Sequence, residues 1–503
     1  MRVVATTEGA GDRTRGDVVA RAAARWPEAV AWLDLDDGSE LTLGRWDAEA
    51  SRLSHGLRAA GVGAGDRVVL DIGPDDPFPW LESYVGIHRA GAVVVPVSTR
   101  MAPAELDAVV RHADARLVVT AGDGTGSPAG EGSEGIAGRR LEWRALLGDD
   151  PWPAVPAAQS ADPVDIVYTS GTTGAPKAVV ARAGIGAAAP LAERWNGLGF
   201  LTCSPFATTS GILLVDGPLR NGMSGWYLPR FDAGRWLELV GRHRPAVAFL
   251  VPAMAQLLVA HRHFAEADLD GMAAVTFGGA PMAKATLERL VERLPGTEVL
   301  VGYGLTEFGA VSRTPSGDGG RHLGSVGRPL DGVRVRVVDE GGAEVSTGEV
   351  GEVTVQGTLP PRRYYKDDEA TGRTWRDGWL HTGDLGRLDA DGFLWITGRA
   401  KDLVIRGGLN IVPRDVEEVL LAHPDVVDAV VLGVPHDVLG EDVATWVVLR
   451  ESATVTIEDL RSFMLERLAD YKVPRTVTVV DELPRNASGK VIHDALVARR
   501  PAP

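Results

Sequence analysis

Apolar and polar positions follow a helical repeat in some stretches of this chain and a strand repeat in others, and the balance shifts along its length. Asp17 to Arg25 places Val18, Val19, Ala22 and Ala23 on one side of a helical repeat, and Thr42 to Ala60 predicts a longer amphipathic helix with the stripe Trp46, Leu53 and Leu57. Arg67 to Ile72 reads as a strand, Pro79 to Ala90 as a helix, Val93 to Val97 as a strand, Pro103 to Ala113 as a helix and Leu117 to Thr120 as a strand. Such alternation predicts an α/β fold with a mostly parallel sheet covered by helices. Helices over Phe231 to His243, Pro252 to His261 and Ala283 to Leu294, with strands over Ala274 to Phe277 and Glu298 to Val301, continue it. From Gly324 the pattern becomes short alternating strands, Val333 to Val338, Gly351 to Val355 and Gly392 to Ile396, which predicts a small antiparallel, barrel-like subdomain.

Beyond Gly398 about a hundred residues carry their own strands (Val427 to Leu432, Ala444 to Leu449, Thr476 to Val480) and helices (Pro413 to Ala422, Ile457 to Leu468), enough for a small α+β domain. The expected division is residues 1–400 and a small C-terminal domain, 401–503. Ala121 to Gly138 is rich in Gly, Ser and Glu and reads as a surface loop. Its Gly130 to Gly135 spells GxGxxG, but no strand–turn–helix surrounds it, so the match is set aside.

Composition changes the picture in three ways. A length of 503 residues exceeds one compact core. A formal net charge of −16 argues against nucleic acid as the main partner. The single cysteine, Cys203, excludes an internal disulfide and a cysteine zinc site, which fits a reducing cytoplasm. No signal-peptide pattern opens the chain and no apolar run reaches the roughly 18 residues of a membrane span, so no membrane association is expected.

The candidate chemistry begins at Tyr168-Thr169-Ser170-Gly171-Thr172-Thr173-Gly174-Ala175-Pro176-Lys177. Glycines let backbone N–H groups approach an anion, hydroxyls donate hydrogen bonds and the lysine adds a point charge. The apolar run Val164 to Tyr168 places this loop at a strand's C-terminal end, where open α/β sheets bind ligands. It is not a Walker A loop, because Ala175-Pro176 separates Gly174 from Lys177. The segment resembles the phosphate loop of the adenylate-forming superfamily: acyl-CoA synthetases, peptide-synthetase adenylation domains and luciferases.

Five more stretches extend the resemblance from about Val18 to the C-terminus, nearest to AMP-forming acyl-CoA ligases. Gly278-Gly279-Ala280-Pro281 resembles the segment laid against the adenine ring. Gly302-Tyr303-Gly304-Leu305-Thr306-Glu307 resembles the second nucleotide motif, in which Tyr303 would pack on adenine, Thr306 meet the α-phosphate and Glu307 hold Mg²⁺. Asp384, in Trp379-Leu380-His381-Thr382-Gly383-Asp384, would accept the ribose hydroxyls, and Arg399 would bind the ribose as well. Lys401 would sit at the hinge, with Gly407-Gly408 bordering the thiol tunnel. Lys490, in Leu483-Pro484-Arg485-Asn486-Ala487-Ser488-Gly489-Lys490, would contact the carboxylate and α-phosphate as the acyl-adenylate forms.

The resemblance implies ATP, Mg²⁺ and coenzyme A, a carboxylic acid as substrate, and rotation of the small domain between adenylation and thioester formation. Phe206, Thr208, Thr209, Gly211, Gly278, Gly302 and Leu305 would border the acid. The apolar residues Phe206, Ile212, Leu213 and Leu214 point to an apolar acid and the small residues Ala207 to Gly211 to a bulky or branched one, while a small dicarboxylate would need a cation such as Arg220. Lys472 is a candidate for the CoA phosphates. The oligomeric state stays open, a homodimer included.

Departures from the family pattern raise an alternative. Ala178 stands where the family has glycine, Arg182 and Ala183 where it has Ser/Thr-His, and Ala207 and Thr208 where acyl-CoA synthetases have an aromatic and a histidine. These changes raise the expectation of a weakened adenylation half, with a separate adenylating enzyme supplying the acyl-adenylate. A non-catalytic acyl-adenylate or nucleotide binder is the alternative of another class.

Overall fold

The computed structural model describes residues 14–122, 139–148, 162–169, 177–183, 190–358, 361–451, 453–486 and 489–497. The expected surface loop lies almost wholly outside them, as does the GxGxxG stretch. The chain divides into two compact units, Met1–Arg230 with Pro245–Val247 and Leu359–Arg373, and Phe231–Arg244 with Ala248–Thr358 and Thr374–Pro503.

The first unit is built on a seven-stranded sheet. Arg67–Asp71 pairs in parallel with Val93–Pro96 and Ala115–Thr120, and Val93–Pro96 pairs in parallel with Pro163–Thr169. Pro163–Thr169 then turns back antiparallel into Lys177–Arg182, whose outer edge takes the two-residue strand Arg363–Tyr364. Strands in such a sheet are covered on both faces and read as continuous apolar runs, as Val68, Val69, Leu70 and Val93 to Val95 do.

The helix Leu43–Ala59 carries the stripe foreseen from its periodicity. Trp46, Leu53 and Leu57 are fully buried, Thr42 caps the first turn by accepting from the Arg45 N–H, and the Trp46 indole donates to the Leu81 carbonyl at 3.0 Å. The helix Pro77–Arg89 is buried nearly all round, so its sequence shows a weaker stripe. The short parallel strands Val30–Asp34, Ser224–Tyr227 and Gly199–Thr202 escaped the sequence reading. Each has only four or five residues, and the latter two carry glycines, Gly225 and Gly199, on which tryptophan rings lie.

In the second unit Ala274–Phe277 runs parallel to Glu298–Leu305, which forms a hairpin with Gly309–Arg313. The alternating region from Gly324 becomes an antiparallel five-stranded sheet of Arg334–Val338, Gly351–Gln356, Trp379–Leu388, Trp375–Arg376 and Leu394–Arg399. The C-terminal stretch has its own five-stranded sheet, in which Gly440–Leu449 is central and pairs with Val426–His436 in a long edge hairpin. The helices Pro413–Leu421 and Ile457–Leu465 bury Val416, Leu420, Leu460 and Met464 against it.

Candidate active site

In the first unit a buried charge network fixes the strand Pro163–Thr169, at whose end the expected phosphate loop begins. Asp165, in the middle of the apolar run, lies 3.1 Å from His88 Nε2, accepts from the Tyr84 hydroxyl at 3.1 Å and faces Arg15 at 3.9 Å. Burial pushes its carboxyl up, but His88, Arg15 and Tyr84 outweigh that and hold it below the ordinary range. Thr169 ends the strand, donating its hydroxyl to the Lys177 carbonyl at 3.3 Å. Ser170, Gly171, Thr172, Thr173 and Gly174 lie outside the described residues. Lys177 opens the return strand with its ammonium 5.0 Å from the centre of the Tyr364 ring. The sequence reading missed Tyr364, and only its pairing across the sheet edge brings it to Lys177.

The departures from the family pattern take ordinary structural places. Ala178 stands opposite Tyr168 in the antiparallel ladder, so its backbone is that of a strand and needs no glycine. Its methyl is 3% exposed and packs with Val69, Val95, Val118, Ile166 and Val180. A Cβ at this position therefore meets no left-handed backbone and adds no strain. Ala183 is equally buried. Thr208 is the N-cap of the helix Thr209–Leu214: its hydroxyl accepts from the Gly211 N–H at 3.0 Å and donates to the Pro205 carbonyl at 2.8 Å. Gly211 must be glycine, because a Cβ there would stand 2.0 Å from that same carbonyl oxygen. Phe206 is a core side chain, stacked on Tyr227 at 4.7 Å and packed against Trp32 and Trp80. Arg220 is held by Asp216 at 2.7 Å.

In the second unit the hairpin corrects the sequence reading of Gly302 to Glu307 as a segment lying past its strand. The strand runs on through Leu305, and only Thr306 to Phe308 turn. Gly304 is required by the ladder, since a Cβ would lie 2.6 Å from the Gly309 carbonyl oxygen. Gly302 has more room, and Gly278 lies beside it, its Cβ position 3.5 Å from the Gly302 carbonyl. Gly279 has φ +89°, a backbone that the glycine permits, and leads through Ala280 and Pro281 toward the helix Lys284–Arg293.

Tyr303 donates its hydroxyl to Asp384 Oδ2 at 2.6 Å, while Arg399 Nε donates to Oδ1 at 2.7 Å. The strand pairing sets Asp384 directly opposite Arg399, so register alone fixes that contact. Asp384 is 6% exposed, and burial together with its charge pushes the Tyr303 hydroxyl well above its usual range. Lys490 belongs to the same electrostatic neighbourhood. Its ammonium is held below the ordinary lysine range by burial and by Arg399, against the opposing pull of Asp384 and Glu307. Lys401 is lowered as well, by burial and then by Arg399 and Lys490, with Asp402 and Asp384 opposing.

The turn that presents Lys490 is tied at both ends. Gly489, at φ +82°, donates to the Asn486 carbonyl, the Lys490 N–H donates to the Asn486 side chain at 3.0 Å, and Arg485 donates to the Gly489 carbonyl at 2.6 Å. Gly407 and Gly408 form the turn of a hairpin at φ +58° and +86°. Lys472 is paired with Asp415 at 2.7 Å.

The carboxylate–tyrosine–arginine cluster beside a lysine in the second unit, and in the first a strand that leads into a Ser/Thr/Gly-rich sequence, fit the motifs of an adenylate-forming enzyme. The chain belongs to the family of AMP-binding enzymes, matching the AMP-binding enzyme domain over residues 19–365 and its C-terminal domain over residues 415–490. Within that family it is an AMP-forming acyl-CoA synthetase. A sulfoacetate–CoA ligase of Cupriavidus necator is 34% identical over 501 residues, covering 95% of this chain and 96% of the relative. A feruloyl-CoA synthase of an Amycolatopsis species is 33% identical over 472 residues, covering 90% and 93%. The crystal structure of ATP-bound MatB from Rhodopseudomonas palustris superposes with a TM-score of 0.82 at 30% identity, covering 96% and 98%. With CoA ligases as relatives and Ala178 and Thr208 in structural places, neither the half-enzyme nor the non-catalytic binder is favoured. Among the described residues no helix is long and apolar enough to cross a membrane.

Proposed function

We propose that this enzyme joins a bulky, apolar carboxylic acid to coenzyme A on a single chain, first forming the acyl-adenylate from ATP and then passing the acyl group to the thiol. The cluster of Tyr303, Asp384, Arg399 and Lys490 carries this reading. Asp384 uses one lone pair of each oxygen on Tyr303 and Arg399, and the remaining two suit the ribose hydroxyls. Lys490 supplies positive charge where the acid carboxylate and the α-phosphate meet, and charge neutralisation is the main demand of that step.

Glu307 and Thr306 offer the hard oxygens that Mg²⁺ prefers. One carboxylate suffices, because this ion keeps several waters and takes its other oxygens from phosphates. Bound there, Mg²⁺ would neutralise phosphate charge. Residues 401–503 would act as the moving domain about Lys401, and Gly407-Gly408 would border the thiol.

The bulky, apolar acid is supported by the small side chains from Thr208 to Gly211 and by the 41% exposure of Leu213 on the next turn. Arg220, committed to Asp216, is not offered to a second acidic group. The test is thioester formation by mass spectrometry over aromatic, branched and linear acids and sulfoacetate, each offered free with Mg-ATP and as preformed adenylate. Product is expected by both routes from the bulky acids. Product from the adenylate alone would return the half-enzyme, and product from sulfoacetate alone would overturn the apolar pocket.

A further inference from the structure

Lys177 and Tyr364 lie nearly two hundred residues apart, and the sheet edge makes them neighbours. Arg363–Tyr364 pairs antiparallel with Lys177–Arg182 so that Tyr364 stands opposite Val179. Lys177 is two residues before Val179, so its side chain leaves the strand on the same face and meets the ring diagonally. That face is distinct from the one on which Ala178 and Val180 enter the hydrophobic core. The ring itself is fixed. It is 8% exposed, packs with Val179 and Ala370, and its backbone N–H is held by the Thr371 hydroxyl at 3.0 Å. The next residue tightens the same edge, the Tyr365 N–H donating to the Ala178 carbonyl at 2.7 Å.

We infer that Tyr364 is a positioning residue for ATP, an aromatic seat that holds the Lys177 ammonium at the start of the strand Lys177–Arg182, where it would meet the phosphates. The argument rests on the reading of Lys177 as a phosphate ligand. A lysine stem has four rotatable bonds, and ordering it costs entropy that ATP binding would otherwise have to supply. A carboxylate partner would order it too, but would place a negative charge where phosphates must arrive. An aromatic face attracts the cation through its quadrupole and brings no formal charge. The seat therefore reduces the lysine's freedom while leaving its charge available to the incoming anion.

The test is a double-mutant cycle read by calorimetric titration with Mg-ATP, with thermal midpoints measured in parallel. Tyr364→Leu is expected to weaken Mg-ATP binding about three- to tenfold, the size of a modest cation–π contact. Tyr364→Phe keeps the ring and is expected to bind within about twofold of the parent. In a Lys177→Met background, which keeps the stem and removes the charge, Tyr364→Leu is expected to weaken binding no further. An equal loss in both backgrounds would show that Tyr364 acts through general stability, and the inference would fall. No loss from Tyr364→Leu beside a clear loss from Lys177→Met would sink it while sparing the phosphate reading. No loss from Lys177→Met would remove both. If the leucine variant does not fold, Tyr364→Met, which fills more of the ring's volume without its aromatic face, closes the cycle.

Discussion

Two lysines are proposed as ligands of phosphate, and they are prepared for that role in opposite ways. Lys177 leaves a strand within one compact unit and rests over the face of Tyr364. Lys490 stands on a tied turn within the other, in the company of Arg399, Lys401, Asp384 and Glu307. The first environment orients the ammonium without opposing its charge. The second raises the cost of being charged, because burial and the guanidinium of Arg399 both disfavour the cation. A cation held in a costly state gains more when an anion arrives. On the proposed function, equal formal charges divide the work: Lys177 would serve ground-state binding, whereas Lys490 would respond to the charge that gathers as the acyl-adenylate forms.

Removing each charge is the most direct way to break this comparison. Lys490→Ala is expected to lower the rate of adenylate formation about 10²- to 10³-fold, with Mg-ATP affinity changed far less and thioester formation from preformed adenylate retained. Equal losses in rate and ATP affinity would erase the distinction. Lys177→Met is expected to weaken Mg-ATP binding about tenfold, the scale of one charge-assisted hydrogen bond, and to act on KM for ATP more than on kcat. pH sharpens the contrast. Because the Lys490 cation is held below the ordinary lysine value of about 10.4, raising pH should remove it earlier than an unperturbed lysine. The alkaline limb of the adenylation rate is therefore expected below that value, and Lys490→Arg should move the limb upward even at reduced rate. An unmoved limb would assign it to another group. The smallest effect belongs to the departures. Ala178→Gly with Thr208→His is expected to leave pyrophosphate release within about twofold, while the thermal midpoint falls through loss of a buried methyl and of an N-cap, each about 1 kcal/mol. A large gain in pyrophosphate release would restore the idea of a crippled adenylation half.

Periodicity carried much of the fold. The stripe Trp46, Leu53 and Leu57 is buried as its spacing requires, and the strand Ala274–Phe277 falls on its predicted bounds. Four- and five-residue strands gave no such signal, because so short an apolar run has no period to measure. At the site, the residue types of Asp384, Arg399 and Lys490 were legible because their chemistry is local to each motif. Their mutual geometry was not: the Asp384–Arg399 contact depends on strand register, which only the folded sheet supplies. The same gap misjudged Ala178 and Thr208. Read along the chain they were substitutions in an active-site pattern, whereas in three dimensions one is a core methyl and the other a helix cap. Phe206 is the converse, a residue expected to line a pocket whose ring completes a packed aromatic group.

Gly211 sets a limit on how this region can diversify. With the Pro205 carbonyl 2.0 Å from where a Cβ would stand, every other amino acid is closed to that position unless the turn itself is rebuilt. Thr208 is constrained more loosely, since Ser, Asp or Asn could also cap the helix. Position 211 is therefore a fixed point of this turn and position 208 has a four-letter alphabet, so any change in the proposed acyl preference would have to keep the turn that these two residues hold.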